Sequence, residues 1–177
     1  MTKHELRQVI RHRLAALPAG VRGEKSAAIA QAVAQTPQWQ AARTVGLFAP
    51  LASEPDVNLL WAVLGERRVC YPRIAGEELV FLSVPSREAL LESGRWNLLE
   101  PPHRDEHIAA PAQIDLLLVP GVAFTLDGHR MGRGGGFYDR FLADFPGATF
   151  GVCFAEQVMA HLPREDHDRP VEAVFAF

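Results

Sequence analysis

Apolar positions along the chain follow two periods. Over residues 2–17, Leu6, Val9, Ile10, Leu14 and Leu17 recur at three- to four-residue spacing with Arg13 among them, the stripe of an amphipathic helix. Thr2, followed three residues later by Glu5, supplies a capping box at its start. Residues 22–35 repeat the pattern through Ile29, Val33 and several alanines, and Thr36-Pro37 ends it. Beyond that point the apolar runs become short and continuous. Residues 44–49, 69–71, 79–82, 114–119 and 148–154 each predict a strand, the last two buried on both faces. Helices are expected over 57–65, 138–145 and 156–161, Trp39 is expected in the core, and a last apolar run closes the chain. The Pro-rich stretch around Pro101, Pro102 and Pro111 predicts a connection within one domain. Strands alternating with helices predict an α/β fold, a single domain over residues 1–177 whose mainly parallel sheet is covered by helices.

Composition narrows the function classes. A chain of 177 residues that is 48% hydrophobic can bury one substantial core. Its net charge of −3 argues against a general nucleic-acid binder, which needs excess Lys and Arg to displace counterions. The two cysteines, Cys70 and Cys153, stand apart in apolar runs, as buried thiols do, and form no zinc-binding spacing. The opening Met1-Thr2-Lys3-His4-Glu5 has no apolar core of a signal peptide, and no run is long enough to span a membrane; a soluble, cytoplasmic protein is expected.

The densest chemistry lies between Pro120 and Arg140. Gly128, Gly132, Gly134, Gly135 and Gly136 follow the 114–119 run, Arg130 and Arg133 stand among them, and Asp139 falls in the first turn of the expected helix. Glycines let backbone N–H groups approach an anion, arginines clamp phosphate, and a nearby carboxylate suits a divalent cation. The alternative is a flexible glycine loop. Walker A is excluded because Phe137 and Tyr138 stand where Lys and Ser/Thr are needed, and the dinucleotide fingerprint because Phe137 replaces its third glycine. Lys3, Arg7 and Arg11 would share one helix face, ordinarily a solvated one, and Glu54 follows a strand where an ordinary solvated acid near a helix start is also expected. His167-Asp168, before the terminal strand, matches a turn.

The run from Arg130 through Gly132-Arg133-Gly134-Gly135-Gly136-Phe137-Tyr138-Asp139 to Arg140, preceded by Val119-Pro120-Gly121-Val122-Ala123-Phe124, resembles the signature of the 5-formyltetrahydrofolate cyclo-ligase (5,10-methenyltetrahydrofolate synthetase) family. Lys3-His4-Glu5-Leu6-Arg7 is similar to that family's opening Lys-x-x-x-Arg, Glu54 and Asp56 keep the spacing of its acids, Pro72-Arg73 matches a strand end, and Arg95 to Pro101 resembles its aromatic segment ending in Glu-Pro. Phe137 departs from the tyrosine common after the last glycine, and Met131 from the usual leucine.

The resemblance implies a fold like that of ribose-phosphate isomerases and CoA-transferases. It implies an ATP- and magnesium-dependent ligase that converts 5-formyltetrahydrofolate to 5,10-methenyltetrahydrofolate, releasing ADP and phosphate, through a phosphorylated formyl group. Carried over residue by residue, ATP falls to Lys3, Arg7, Arg130, Gly132, Arg133, Gly134, Gly135, Gly136, Phe137 and Tyr138. The folate falls to Ala49, Glu54, Arg73, Trp96, Arg133 and Phe137, with Trp96 also able to serve as core. Arg130 and Arg133 are the expected catalytic cations, and Asp139 and Asp168 the expected magnesium ligands. A monomer with no nucleic-acid or membrane partner is expected. The alternatives are a reduced-folate or nucleotide binder without turnover, and a sugar-phosphate or CoA enzyme on the same fold.

Overall fold

The stripe at the start of the chain forms α1, Lys3–Ala15, in a computed structural model that describes residues 1–92 and 98–177. The capping box closes: Thr2 Oγ1 accepts from the Glu5 N–H at 3.2 Å, and Glu5 accepts from the Thr2 N–H at 2.7 Å. Leu6, Ile10 and Leu14 are buried against Ala123, Met131 and Phe154, while Arg13 stays exposed. α2, Ala19–Ala34, is followed by a helix too short to show a period, α3, Pro37–Ala41. Thr36 caps it by accepting from the Trp39 N–H, and Trp39 is buried as expected.

The chain then enters the sheet through β1, Thr44–Gly46, β2, Arg68–Ala75, and β3, Glu78–Val84. A short hairpin, β4, Leu91–Glu92, with β5, Leu99–Glu100, precedes β6, Ile108–Ala109, and β7, Leu116–Val119. A second hairpin, β8, Ala123–Phe124, with β9, Arg130–Met131, leads to α4, Phe137–Leu142, then β10, Ala148–Cys153, and β11, Ala173–Ala176. The main sheet runs β11-β10-β7-β1-β2-β3-β6, parallel from β11 to β2 and antiparallel at the last two pairings. The mainly parallel sheet is therefore present as expected. Asp115 fixes one edge of it, its Oδ2 accepting from the N–H groups of Arg43 and Thr44, both at 2.8 Å.

Alternation along β7 explains its unbroken apolar sequence. Leu116 and Leu118 face one cluster with Ile29, Val33, Trp39 and Phe150, while Leu117 and Val119 face the other with Phe81, Ile114 and Leu142. Both faces are covered, so a polar residue at any of these positions would lose its water without a partner. Burial pushes the Cys70 thiol up to about 11 and that of Cys153 to about 12. No helix among the described residues is long and apolar enough to cross a membrane.

Several expectations change. The helix expected over 156–161 reduces to a 3₁₀ turn, Ala155–Gln157. Residues 57–65 form a tighter 3₁₀ helix, Val57–Val63, capped by Asp56, whose carboxylate accepts from the Asn58 N–H. β2 continues past Tyr71 into a hairpin with β3, turned at Gly76 with φ 65°, so Arg73 lies inside a strand rather than at its end. Finally, β7 does not lead directly to a glycine loop and helix, because β8 and β9 intervene and Gly128 belongs to their turn.

Candidate active site

The carboxyl ends of the parallel strands open into a cleft of about 1420 Å³, larger than the roughly 300–1,000 Å³ of a pocket for one drug-sized ligand. Two walls of different chemistry line it. Phe48, Leu51, Ile74, Leu79, Leu99 and Phe137 make an apolar side, built from the segment after β1, the β2–β3 hairpin, the β4–β5 hairpin and the start of α4. Lys3, Arg7, Arg130, Arg133, Glu165 and Asp168 make a charged side, from α1, β9, the glycine loop and the segment before β11.

The glycine loop joins these walls. Gly134 has φ 107° and Gly136 φ 65°, conformations that side chains disfavour. The N–H groups of Gly134, Gly135 and Gly136 donate to no acceptor among the described residues. Three adjacent free donors on a cleft wall form an anion cradle. α4 behind them has only six residues, so its dipole adds less than the expected longer helix would. Arg7 braces the loop, its Nε donating to the Gly132 carbonyl at 3.0 Å.

Lys3, Arg130 and Arg133 on this side are each paired with an acid, whereas Arg140 and Arg169, which also line the cleft, make no ion pair among the described residues. Lys3 Nζ lies 3.0 Å from Asp168 and 3.1 Å from Glu165. Arg130 Nη2 donates to Asp139 at 2.8 Å, with only 2% of the arginine side chain exposed. Arg133 Nη2 donates to Glu54 Oε1 at 2.9 Å, while Glu54 Oε2 accepts from the Leu51 N–H. Burial works to raise the Asp168 carboxyl, but the Glu165 N–H and Lys3 outweigh it and hold it below the usual carboxylate range. Burial, reinforced by Glu54, pushes the Tyr138 hydroxyl far above its ordinary value, so it remains a neutral donor. Arg130 Nε is buried and unpartnered among the described residues.

Sequence-predicted residues thus converge from distant segments. Lys3, Arg7, Ala49, Glu54, Arg130, Gly132, Arg133, Gly134, Gly135, Gly136, Phe137, Tyr138, Asp139 and Asp168 all line this one cleft. The Arg169 N–H donates to Asp139 at 3.1 Å, which ties the Asp168 segment to α4. Arg73 is not part of the lining: its Nη1 donates to the Pro101 carbonyl at 2.9 Å and approaches Glu100 at 3.7 Å. Being inside a strand, it points away from the face that Pro72 and Ile74 give to the cleft. Arg11 is exposed one turn too far along α1, Asp56 is a helix cap, and Gly128 turns the β8–β9 hairpin. Trp96 falls outside the described residues. Glu165 also lines the cleft and escaped the sequence reading, and so does Glu100, which that reading quoted within the Glu-Pro segment without giving it a role. Glu165 sits three residues before Asp168, a turn spacing that its N–H to Asp168 bond of 2.8 Å uses.

Comparison with known proteins identifies the family. The profile of the 5-formyltetrahydrofolate cyclo-ligase family matches residues 1–176. The 5-formyltetrahydrofolate cyclo-ligase of Mus musculus is 28% identical over 186 residues, covering 97% of this chain and 92% of its own. That of Escherichia coli (strain K12) is 33% identical over 143 residues, covering 75% and 77%. The solved 5,10-methenyltetrahydrofolate synthetase of Aquifex aeolicus superposes with a TM-score of 0.86 at 32% identity, over 99% of this chain and 90% of that one. With a family match that leaves out one residue of 177, and relatives whose coverage is nearly end to end, this chain belongs to the 5-formyltetrahydrofolate cyclo-ligase family.

Proposed function

We propose that the cleft closes 5-formyltetrahydrofolate to 5,10-methenyltetrahydrofolate with consumption of ATP. The γ-phosphoryl group passes to the formyl oxygen and ADP leaves. N10 then attacks the formyl carbon, its proton is lost, and phosphate departs with the former formyl oxygen. The observation that carries this reading is the meeting of two unlike walls at a loop with three free N–H groups, in a space large enough for both substrates. The charged side takes the triphosphate and the apolar side takes the pterin.

Phosphoryl transfer of this kind depends on positioning and on charge neutralisation rather than on a protein nucleophile. The N–H groups of Gly134, Gly135 and Gly136 receive phosphate oxygens, and Lys3, Arg7 and Arg133 supply positive charge beside them. One cation 4 Å from a phosphate oxygen contributes about 4 kcal/mol at an effective dielectric of about 20. Arg130, buried and bonded to Asp139, acts mainly by fixing that carboxylate. Ala49, Glu54 and Phe137 meet the folate, with Glu54 accepting from pterin N–H groups. Arg73 serves the same wall indirectly by holding Glu100 and Pro101.

Asp139 and Asp168 would hold the magnesium ion that accompanies ATP. Their hard carboxylate oxygens suit it, and Asp139 Oδ2 accepts no hydrogen bond from a described residue. When bound, the ion would neutralise phosphate charge. Incubating the purified protein with 5-formyltetrahydrofolate, ATP and magnesium should yield the methenyl product, followed by its near-ultraviolet absorbance, together with one ADP per turnover. Absence of product while both ligands bind would overturn the assignment.

A further inference from the structure

Arg140 ends the glycine motif, and the reaction above gives it no role. Its guanidinium makes no ion pair among the described residues. Nη2 donates to the Gly135 carbonyl at 3.0 Å, and Nε donates to the Glu77 carbonyl at 2.9 Å, with Nη2 reaching that same oxygen. The guanidinium carbon lies 5.1 Å from the centre of the Phe137 ring, and Nη1 lies 2.7 Å from where a side chain on Gly136 would begin. One planar group therefore contacts Gly135 in the loop, Phe137 at the start of α4 and Glu77 in the turn of the β2–β3 hairpin, and fills the space beside Gly136.

The consequence follows from peptide geometry. No peptide bond here is cis, so the carbonyl of Gly135 and the N–H of Gly136 point in opposite directions. Holding that carbonyl toward Arg140 turns the Gly136 N–H away from it. Glycine has the freest backbone of any residue, and this loop uses none of its three central N–H groups to fix itself. An external tie is required, and a fork of coplanar donors can hold two carbonyls in fixed relation where an ammonium cannot.

We infer that Arg140 is the positioning residue of the phosphate cradle: it sets the plane of the Gly135–Gly136 peptide and locks the cradle to the β2–β3 turn. Ile74 and Leu79, on either side of that turn, belong to the apolar wall, so the same tie holds the two walls in register. The inference rests on the reading of the cleft as an ATP and folate site.

Calorimetric titration of a non-hydrolysable ATP analogue, with magnesium, into wild type, R140A and R140K tests it. R140A is expected to bind the analogue about tenfold more weakly, the loss of charge-assisted hydrogen bonds that hold the cradle, with a smaller loss for 5-formyltetrahydrofolate, whose wall the tie only braces, and an unchanged unfolding temperature. R140K keeps the charge and loses the fork, so it is expected to match R140A, and millimolar guanidinium ion is expected to restore R140A in part. Wild-type affinity in R140A overturns the role of Arg140 alone. Wild-type affinity in R140K shows that charge, not the fork, matters, and overturns it too. Failure of the wild type to bind the analogue overturns the ATP reading and this role together.

Discussion

Asp139 carries two duties at the scale of a single residue, and they can be separated. Its carboxylate faces the cleft as a proposed metal ligand and also neutralises Arg130, whose side chain is 2% exposed. Removing one partner of a buried pair leaves the other charge without water or counterion, a loss of about 3–5 kcal/mol. Asp139→Asn keeps the shape and part of the hydrogen bonding, so its expected destabilisation is about 2 kcal/mol, with a raised magnesium requirement. Asp168→Asn leaves the partly exposed Lys3 still paired with Glu165 and should destabilise by under about 1 kcal/mol, with a similar magnesium effect. Denaturant unfolding and magnesium titration of the two variants check this; equal stability losses would refute the division. The carboxylates themselves were legible in the sequence as part of a resemblance to a known motif. The pairing of Asp139 with Arg130, nine residues earlier, was not, because it depends on β9 and α4 closing around one buried spot.

Elements differ in how much of them a sequence can announce. α1 and α2 span several turns, so their stripes repeat often enough to be read, and β7 and β10 are apolar on both faces. β8 and β9 have two residues each, too few for any period, and Arg130 inside β9 offers no apolar signal. Their hairpin nevertheless decides where the glycine loop begins. Gly128 turns it with φ 95°, donates its N–H to Thr125, and accepts from the Val171 N–H at 2.9 Å. A side chain there would begin 2.1 Å from the Val171 carbonyl oxygen, a backbone atom that cannot yield without moving the segment carrying Asp168. Gly128→Ala should therefore destabilise by about 2 kcal/mol or more and raise the magnesium requirement along with it. An unchanged melting temperature would mean that the hairpin and the 168–171 segment are not joined as described.

Across the whole molecule, the net charge of −3 hides a cleft in which Lys3, Arg130 and Arg133 are each matched with one of its own acids. The match between Glu54 and Arg133 crosses from the proposed folate wall to the phosphate loop, and that placement has a thermodynamic meaning. A folate that draws Glu54 onto its pterin releases Arg133 for phosphate, and a triphosphate that draws Arg133 away releases Glu54 for the pterin. Each substrate then raises the affinity of the other by one and the same factor, as linkage requires. The pair is partly open, with Arg133 58% exposed, so a factor of about five is expected rather than several hundred. In Glu54→Gln the arginine is free from the outset: the ATP analogue should bind more tightly than in wild type when no folate is present, and added folate should no longer improve it. Two titrations, with and without folate, measure the factor, and a value of one in the wild type would mean that the cleft admits its substrates independently.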